Sequence, residues 1–391
     1  MSIRSIRLLV ATTLFALLLP LPGCGLFLRL SPRETWLPES EIVDVPAVRC
    51  ANMFLVRAEI NGRGPFTLLI DTGAVGVVLT PEAASRLREW TRPTMLPAIG
   101  ATGAVVPIRQ RVWVNRMRVG EVEFRGLDAF VLDLTGFETV VGGELDGILG
   151  YRAFGDVLLT LDYIDSRVVL QRGEVRDPGD GTVLRIEGQH VPWITIRTQG
   201  KPRRVIIDSG SSGDFSLKKA ENLRYREPPR VVGTVLAIGG HELRRVGRAA
   251  GTVELGSHVL EEPLVEPRSA VSLMGTQIMK HFRVTFDQRK RRVWFDGRSR
   301  EPLSFGPLYG IGVGTLPTEG VLRITHVFEG LPAARAGLRV GDIIETIDGR
   351  PLLELFCERD RIFDREVRVL LGVRREGESL HIPVDVVPLV P

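Results

Sequence analysis

The 391-residue sequence is poor in cysteine, histidine and tyrosine, and these shortages exclude several kinds of chemistry. It holds three cysteines, four tyrosines and six scattered histidines. No His-Glu-x-x-His motif and no Cys/His cluster with metal-ligand spacing occurs, so the sequence predicts no metal site and points to no cofactor. It also lacks a Gly-x-Ser-x-Gly motif, the usual setting of a serine nucleophile in one large class of hydrolases. Any hydrolytic chemistry must therefore come from other side chains.

The few cysteines indicate no disulfide framework. One of the three lies close to the N-terminus, which leaves Cys50 and Cys357 far apart in the chain. Cys50 lies in a strand-like stretch and Cys357 follows an apolar pair. The sequence therefore predicts two buried free thiols.

Basic charge is in excess, with a net charge of +4, but no nucleic-acid-binding motif accompanies it. The densest basic run, residues 289–292, lies between two strand-like segments and is typical of a solvated hairpin turn. A hydrophobic content of 44% and a charged content of 25% are those of a globular protein. The composition predicts a folded protein of two or three domains with no nucleic-acid partner.

The N-terminus carries the pattern of an export signal. Arg4 and Arg7 precede an apolar stretch, residues 8–19, which is short for a bilayer span of roughly 20 residues. The Leu-Pro-Gly-Cys sequence that ends at Cys24 resembles the lipobox of bacterial lipoproteins, and the resemblance implies that Cys24 is lipidated. Pro22 departs from the commonest lipobox pattern, and an uncleaved apolar anchor is the alternative. Both interpretations predict an exported protein held at the membrane of the bacterial cell envelope, facing the periplasm or the exterior.

The central part of the chain contains a duplication, because segments near 54–170 and 191–296 share one order of landmarks. In each copy an apolar strand ends directly on an acid, Asp71 in the first and Asp208 in the second. The acids begin the sequences Asp-Thr-Gly and Asp-Ser-Gly. A short helix is predicted after each, beginning at Thr80-Pro81 in the first copy and at Ser216 in the second.

A second pair of matching motifs follows each acid by about 30 residues. The tripeptide Ala-Ile-Gly ends at Gly100 in the first copy and at Gly239 in the second, and further glycines follow. Glycine at these positions favours a hairpin. The predicted flap residues are Ile99, Gly100, Ile238 and Gly239. Each copy then reaches two apolar residues and a glycine, 148–150 and 273–275.

The two acids together suit the hydrolysis of peptide bonds by an activated water. Such a reaction needs a base for the water and an acid for the carbonyl oxygen. Two neighbouring carboxylates supply both, because they cannot both ionise and therefore share one proton. We expect the hydroxyls of Thr72 and Ser209 to hydrogen-bond across to the partner loop. The residues predicted to support the dyad are Thr72, Gly73, Ser209, Gly210 and Ser211.

Ser211 is the one informative difference between the acid loops, since Ala74 occupies the matching position. A hydroxyl at that position can donate to the acid of its own loop and favour the ionised form. The sequence therefore suggests that Asp208 is the charged member of the pair and Asp71 the protonated one.

The acids, their Asp-Thr/Ser-Gly loops and the later apolar-apolar-Gly segments resemble the retropepsin and pepsin group of aspartic peptidases over roughly residues 47–299. The resemblance implies a mostly β fold with two pseudo-symmetric, retropepsin-like β-barrel lobes, each supplying one aspartate, Asp71 or Asp208. It also implies an endopeptidase that binds extended polypeptide substrates beneath flaps. Neither predicted flap contains a tyrosine, which departs from the pepsin pattern. A tethered peptide-binding adaptor that kept the fold but lost catalysis is the alternative.

The C-terminal block has a different composition and carries a specific glycine-rich pattern. Residues 330–344 contain Pro-Ala-x-x-Ala-Gly-Leu-x-x-Gly-Asp-x-Ile, which resembles a bacterial PDZ domain, an α+β module. The resemblance implies capture of a C-terminal peptide by strand addition. The predicted peptide-binding loop consists of Gly310, Ile311, Gly312 and Val313.

These features divide the chain into five predicted parts. They are a signal peptide (1–23), a tether (24–46), an N-terminal protease lobe (47–177), a C-terminal protease lobe (178–300) and a PDZ domain (301–391).

Overall fold

The computed structural model describes residues 10–13, 17–18, 28–39, 41–267, 269–357 and 365–391. Cys24 and most of the predicted export signal lie outside these residues. In the part of the chain that is described, no helix is long and apolar enough to cross a membrane.

The first half of the chain is built almost entirely from strands. Its elements are β1 (Val10–Thr13), β2 (Leu17–Leu18), β3 (Glu34–Trp36), β4 (Ile42–Val45), β5 (Ala47–Cys50), β6 (Met53–Ile60), β7 (Arg63–Asp71), β8 (Val77–Leu79), α1 (Pro81–Leu87), β9 (Thr91–Ile99), β10 (Val105–Val119), β11 (Val122–Val131), α2 (Phe137–Val140), β12 (Gly147–Gly150), the 3₁₀ helix η1 (Tyr151–Phe154), β13 (Leu158–Asp162) and β14 (Arg167–Gln171). One sheet runs in the order β2-β9-β10-β11-β8-β12-β7-β6-β5, and β10 also pairs with β6. This extra pairing curves the sheet towards a barrel.

The second half repeats this arrangement. Its elements are β15 (Val183–Arg185), β16 (Trp193–Thr198), β17 (Lys201–Ile207), β18 (Phe215–Ser216), β19 (Arg230–Ala237), β20 (Gly240–Arg248), β21 (Thr252–Leu255), β22 (His258–Glu261), β23 (Leu264–Glu266), β24 (Leu273–Met274), α3 (Thr276–Met279), β25 (Phe282–Asp287), β26 (Arg292–Gly297) and β27 (Leu303–Ser304). Its sheet runs β19-β20-β23-β18-β24-β17-β16-β21-β22-β27, with β1 beyond β19. In the first half β12 lies between β7 and β8, and in the second β24 lies between β17 and β18 in the same way.

A third sheet joins the halves, in the order β15-β26-β25-β13-β14-β4. Its central pair is antiparallel, with Leu159 opposite Phe286 and Leu161 opposite Val284. These four side chains are fully buried, and the core they belong to extends through both halves. The two halves therefore share a hydrophobic core beneath the acid loops.

The C-terminal block forms a separate sheet with two short helices. Its elements are β28 (Leu308–Gly310), β29 (Val313–Thr318), β30 (Val321–Val327), α4 (Pro332–Arg335), β31 (Ile343–Ile347), β32 (Arg350–Pro351), α5 (Leu352–Leu355), β33 (Val367–Arg375) and β34 (Glu378–Val390). The order β28-β34-β33-β31-β30-β29 places β29 at one end of this sheet. The whole molecule is mostly β, with a protease-like body and a C-terminal PDZ block, as the sequence predicts.

Two local predictions are confirmed. Thr80 is the N-cap of α1, and its hydroxyl accepts a hydrogen bond from the N–H of Ala83 at 3.1 Å. Residues 289–291 of the basic run lie in the turn between β25 and β26, and Arg292 begins β26.

The prediction of a helix beginning at Ser216 is wrong. Ser216 belongs to β18, and turns follow it. Lys219 has a φ of 54°, a left-handed conformation that interrupts a helix, and the N–H of Ala220 donates to the carbonyl of Pro267. Tertiary hydrogen bonding thus replaces the local helix.

The prediction of free thiols is also wrong, because Cys50 and Cys357 form a disulfide across 307 residues of sequence. The bond links β5 of the first half to the residue two positions after α5 of the C-terminal block. Gly142 packs against it, and a Cβ at that glycine would lie 2.6 Å from the sulfur of Cys357. The protease-like body and the C-terminal block are therefore covalently joined.

Candidate active site

The structure brings Asp71 and Asp208 together at the interface between the two halves. Asp71 is the last residue of β7 and lies opposite Gly150 of β12 in a parallel pair. Asp208 follows β17, and its N–H donates to the carbonyl of Met274 at 3.0 Å. Both carboxyl groups are fully buried. Each acid therefore lies next to the strand that is inserted between the strands before and after its loop: β12 for Asp71 and β24 for Asp208.

Glycine in each loop permits the opposite acid to approach. A Cβ at Gly73 would lie 2.6 Å from the Cγ of Asp208, and a Cβ at Gly210 would lie 2.6 Å from the Cγ of Asp71. No real side chain tolerates such a distance. The two loops therefore need glycine at these positions because each backbone packs directly on the partner carboxyl group.

Each carboxyl group has one oxygen held by its own loop. The N–H of Gly73 donates to Oδ1 of Asp71 at 2.8 Å, and the N–H of Gly210 donates to Oδ1 of Asp208 at 2.9 Å. Among the described residues, neither Oδ2 has an N–H or O–H donor from another group. Each carboxyl group packs on the glycine of the opposite loop, so the two acids are neighbours. Two neighbouring buried carboxyl groups resist a double negative charge, and the arrangement therefore favours one shared proton.

The predicted hydrogen bonds between the two loops are present and reciprocal. The hydroxyl of Thr72 donates to the carbonyl of Ile207 at 2.7 Å and accepts from the N–H of Ser209 at 3.0 Å. The hydroxyl of Ser209 donates to the carbonyl of Ile70 at 2.8 Å and accepts from the N–H of Thr72 at 2.9 Å. Both side chains are fully buried, so these bonds fix the spacing of the acids in the absence of competing solvent.

Burial raises the pKa of both acids, and the charge of Asp208 raises the pKa of Asp71 further. The pKa of Asp71 lies well above its usual range, first because the group is buried and then because of the charge of Asp208. Burial raises the pKa of Asp208 to about 7, against hydrogen bonds from Asp71 and from the N–H groups of Gly210 and Ser211 that lower it. The two acids titrate as a pair, and the assignment of the charge to Asp208 and of the proton to Asp71 stays a prediction.

Ser211 lowers the pKa of Asp208 through its backbone N–H. Ala74 makes the matching bond, with its N–H 3.1 Å from Oδ1 of Asp71. This contact is therefore common to both loops, and a separate role for the Ser211 hydroxyl stays a prediction.

The predicted flap residues of the two halves meet each other. Ile99 ends β9, and Ile238 and Gly239 form the turn between β19 and β20. Gly100 packs directly on the carbonyl oxygen of Ile238, where a Cβ would overlap that atom. A Cβ at Gly239 would lie 2.9 Å from the Cβ of Ala104, a contact that the sequence did not indicate. The two hairpins thus touch at their tips, in a closed arrangement.

Both hairpins pair with extended backbone near the N-terminus. β1 runs parallel to β19, with Val10 opposite Thr234 and Thr13 opposite Ala237. β2 runs antiparallel to β9, with Leu17 opposite Ile99. Each hairpin therefore has an edge that accepts an extended chain by backbone hydrogen bonding. A groove of about 600 Å³ opens beside the tips and is lined by both hairpins.

The predicted peptide-binding loop lies far from the acids in sequence, at the start of β29. Gly310 ends β28, and Ile311 and Val313 are buried. Gly312 has a φ of 83°, and a Cβ there would overlap the side chain of Leu331. Gly312 therefore meets two requirements that only glycine satisfies, conformation and close packing.

Comparison with known families agrees with this geometry in part of the chain. The aspartyl protease family model matches residues 56–153, which contain Asp71 and the first hairpin. The PDZ domain family model matches residues 323–356. No curated protein matches the chain. The chain thus contains an aspartyl protease domain and a PDZ domain.

Proposed function

We propose that this protein is an aspartic endopeptidase, tethered in the bacterial cell envelope, that hydrolyses polypeptides at the Asp71/Asp208 pair. The observation that carries the proposal is the pair itself: two buried, neighbouring carboxyl groups whose loops are held by symmetric hydrogen bonds. The family match supplies independent support for the half of the site that contains Asp71.

The proposed reaction uses the unequal pKa values of the two acids. Asp208, the ionised member, takes a proton from a water molecule as the water oxygen bonds to the scissile carbonyl carbon. Asp71 gives its proton to the carbonyl oxygen. The tetrahedral diol then collapses: one of its hydroxyls returns a proton to Asp71 as the carbonyl re-forms, the C–N bond breaks, and Asp208 gives its proton to the amine nitrogen. Each cycle restores one shared proton.

The hairpins suit an extended substrate. Backbone edges on β9 and β19 each accept an extended segment, which is the geometry needed to hold a peptide across the acids. The tips are in contact and the acids are fully buried, so substrate entry requires the hairpins to separate. Polypeptide is therefore the proposed substrate class, and the closed hairpins exclude bulk water during the reaction.

The proposed location depends on the N-terminal sequence, where Arg4, Arg7 and the apolar stretch before Cys24 have the character of an export signal. The Cys50–Cys357 disulfide is in keeping with an oxidising compartment. Metabolic labelling of the full chain with a radioactive fatty acid tests lipidation, with Cys24→Ser as the matched control. Equal labelling of both proteins, or labelling of neither, would contradict it.

The activity is tested with the purified full chain and a diverse peptide library, analysed by mass spectrometry from pH 3 to pH 8. We expect internal cleavage by the wild type and none by Asp71→Asn. The alternative function, a peptide-binding adaptor without catalysis, predicts library peptides that are retained but intact. Cleavage that persists unchanged in the variant would show that a contaminant or another site is responsible.

A further inference from the structure

The end of the PDZ sheet is in contact with the protease hairpin. β29 directly follows the predicted peptide-binding loop and is the terminal strand of its sheet in the described part of the chain. It packs on β19, the flap strand of the second half. Gly314 allows the contact, since a Cβ there would lie 2.8 Å from the Cγ2 of Thr234.

The side chain of Thr234 hydrogen-bonds the backbone groups of β29 that an added peptide strand would use. The hydroxyl of Thr234 accepts a hydrogen bond from the N–H of Thr315 at 3.0 Å and donates to the carbonyl of the same residue. An added strand makes this same pair of bonds, one donor and one acceptor from a single residue. Two positions along the strand, Pro317 has no N–H to offer. Thr315 is therefore a principal anchoring point on this edge, and the flap strand covers it.

We infer that a C-terminal peptide and the flap strand β19 compete for the β29 edge. The inference rests on the proposed function and extends it. The competitor in this proposal is an extended peptide with a free carboxylate, the ligand that the PDZ resemblance implies for the loop 310–313 and the β29 edge. Its strand displaces the Thr234 hydroxyl from Thr315, which frees β19 and allows the hairpin tips to separate. The PDZ block then senses a peptide terminus and opens the peptidase.

The rest of the PDZ block is well placed to stay fixed while β19 moves. The Cys50–Cys357 disulfide joins it to the first half. The N–H of Gly320 donates to the hydroxyl of Thr139 in α2 at 3.0 Å. These two contacts hold the block to the first half. Val232, nearer the base of β19, stays packed in a buried cluster with the ends of β28 and β34. Release of Thr234 therefore affects the part of β19 nearest the hairpin tip, without detaching the domain.

Binding is tested in a variant that cannot consume the probe. The full chain carrying Asp71→Asn is titrated with fluorescent heptapeptides that end in Val, Leu, Ile or Phe, and with the same peptides as C-terminal amides. Thr234→Val removes the hydroxyl at constant shape, and Thr234→Ser keeps it. We expect Thr234→Val to bind the free-acid peptides about tenfold more tightly than Thr234→Ser, since two competing hydrogen bonds are lost. Equal affinity of the two variants, binding of amides as well as acids, or no binding to Thr234→Val would overturn the inference.

Release of the hairpin is tested by hydrogen exchange in the same Asp71→Asn protein. Adding a free-acid peptide should slow exchange in residues 313–318 and speed it in residues 230–237. Protection of the first segment without any change in the second would contradict the competition, because the flap strand would then be unaffected.

The activity of the wild type provides the third measurement. Free-acid peptides should raise the rate of cleavage of a reporter substrate, and Thr234→Val should show a raised rate without peptide. If no peptide changes the rate of reporter cleavage and hydrogen exchange is also unaltered, the inference is wrong while the proposed function stands. Absence of any cleavage counts against the proposed function alone, since the binding and exchange experiments do not depend on catalysis.

Discussion

Thr72 and Ser209 hold each other's loops through four hydrogen bonds, two made by each hydroxyl. Each hydroxyl bonds one N–H and one carbonyl of the opposite loop. The bonds lie directly beneath the two acids and connect the halves of the molecule. The distance between the carboxyl groups therefore depends on these two side chains.

Thr72→Val should disturb the pair and destabilise the protein. The substitution keeps the volume but leaves the carbonyl of Ile207 and the N–H of Ser209 without partners in a buried site. We expect the free energy of unfolding to fall by roughly 1–3 kcal/mol, and activity to fall with it. Chemical denaturation measures the stability, with Thr72→Ser as the control that keeps the hydroxyl. Equal loss in both variants would mean that the methyl group matters and the hydroxyl does not.

Gly100→Ala should impair closure of the hairpins. The added Cβ overlaps the carbonyl oxygen of Ile238, and backbone cannot yield as a flexible side chain can. We expect KM to rise roughly tenfold, since the tips must spread to accept the added methyl group. Gly306→Ala is the matched control, since nothing lies within 4 Å of a Cβ at that position. A normal KM for Gly100→Ala would show that the tips do not meet during turnover.

The disulfide should contribute measurably to stability. It closes a loop of 307 residues and joins the PDZ block to the first half. We expect the double variant Cys50→Ser/Cys357→Ser to lose roughly 2–4 kcal/mol of unfolding free energy. Thermal unfolding with and without reductant checks this, because reductant should lower the midpoint of the wild type and leave that of the double variant unchanged. A midpoint that reductant does not move in either protein would contradict the role assigned to the bond.

The pH dependence follows from the raised pKa values. The working form of the pair carries one proton, so the free protein becomes active as Asp208 ionises, near pH 7. We expect kcat/KM to rise as pH increases through about 7, because kcat/KM reports the ionisation of the free enzyme. A profile that is already flat at pH 5 would contradict this assignment.

The same shift predicts a change in stability with a definite sign. The folded protein retains a proton that the unfolded chain releases near pH 4, so the free energy of unfolding should fall as pH rises from about 4 to about 7. Asp208→Asn removes the titrating group and should show a smaller fall over that range. Equilibrium unfolding at four pH values compares the two proteins.

The acid loops and hairpins could be predicted because the duplication repeats them in register. Chance does not place Gly73 and Gly210, or Gly100 and Gly239, at matching points of two copies. The first helix could be predicted as well, since Thr80 and a following proline are local signals of a helix start. The chemistry of the pair followed from residue types alone.

The disulfide and the second helix could not be predicted, because both depend on tertiary contacts. Cys50 and Cys357 meet only once the C-terminal block has docked on the first half. The segment after Ser216 loses its helix to a hydrogen bond between Ala220 and Pro267. The contact of Thr234 with Thr315 carries no sequence signal, since a threonine in a strand is common for many reasons.

The most direct test of the central claim is the kcat/KM of Asp71→Asn and of Asp208→Asn, each compared with the wild type on one cleaved peptide. Glu121→Gln, an exposed acid at the turn between β10 and β11, is the control for loss of a negative charge. We predict a fall of about 10²–10⁴-fold for each of the two aspartate variants and no change for Glu121→Gln. Near-normal activity in either aspartate variant, with the protein correctly folded, would contradict a shared catalytic pair.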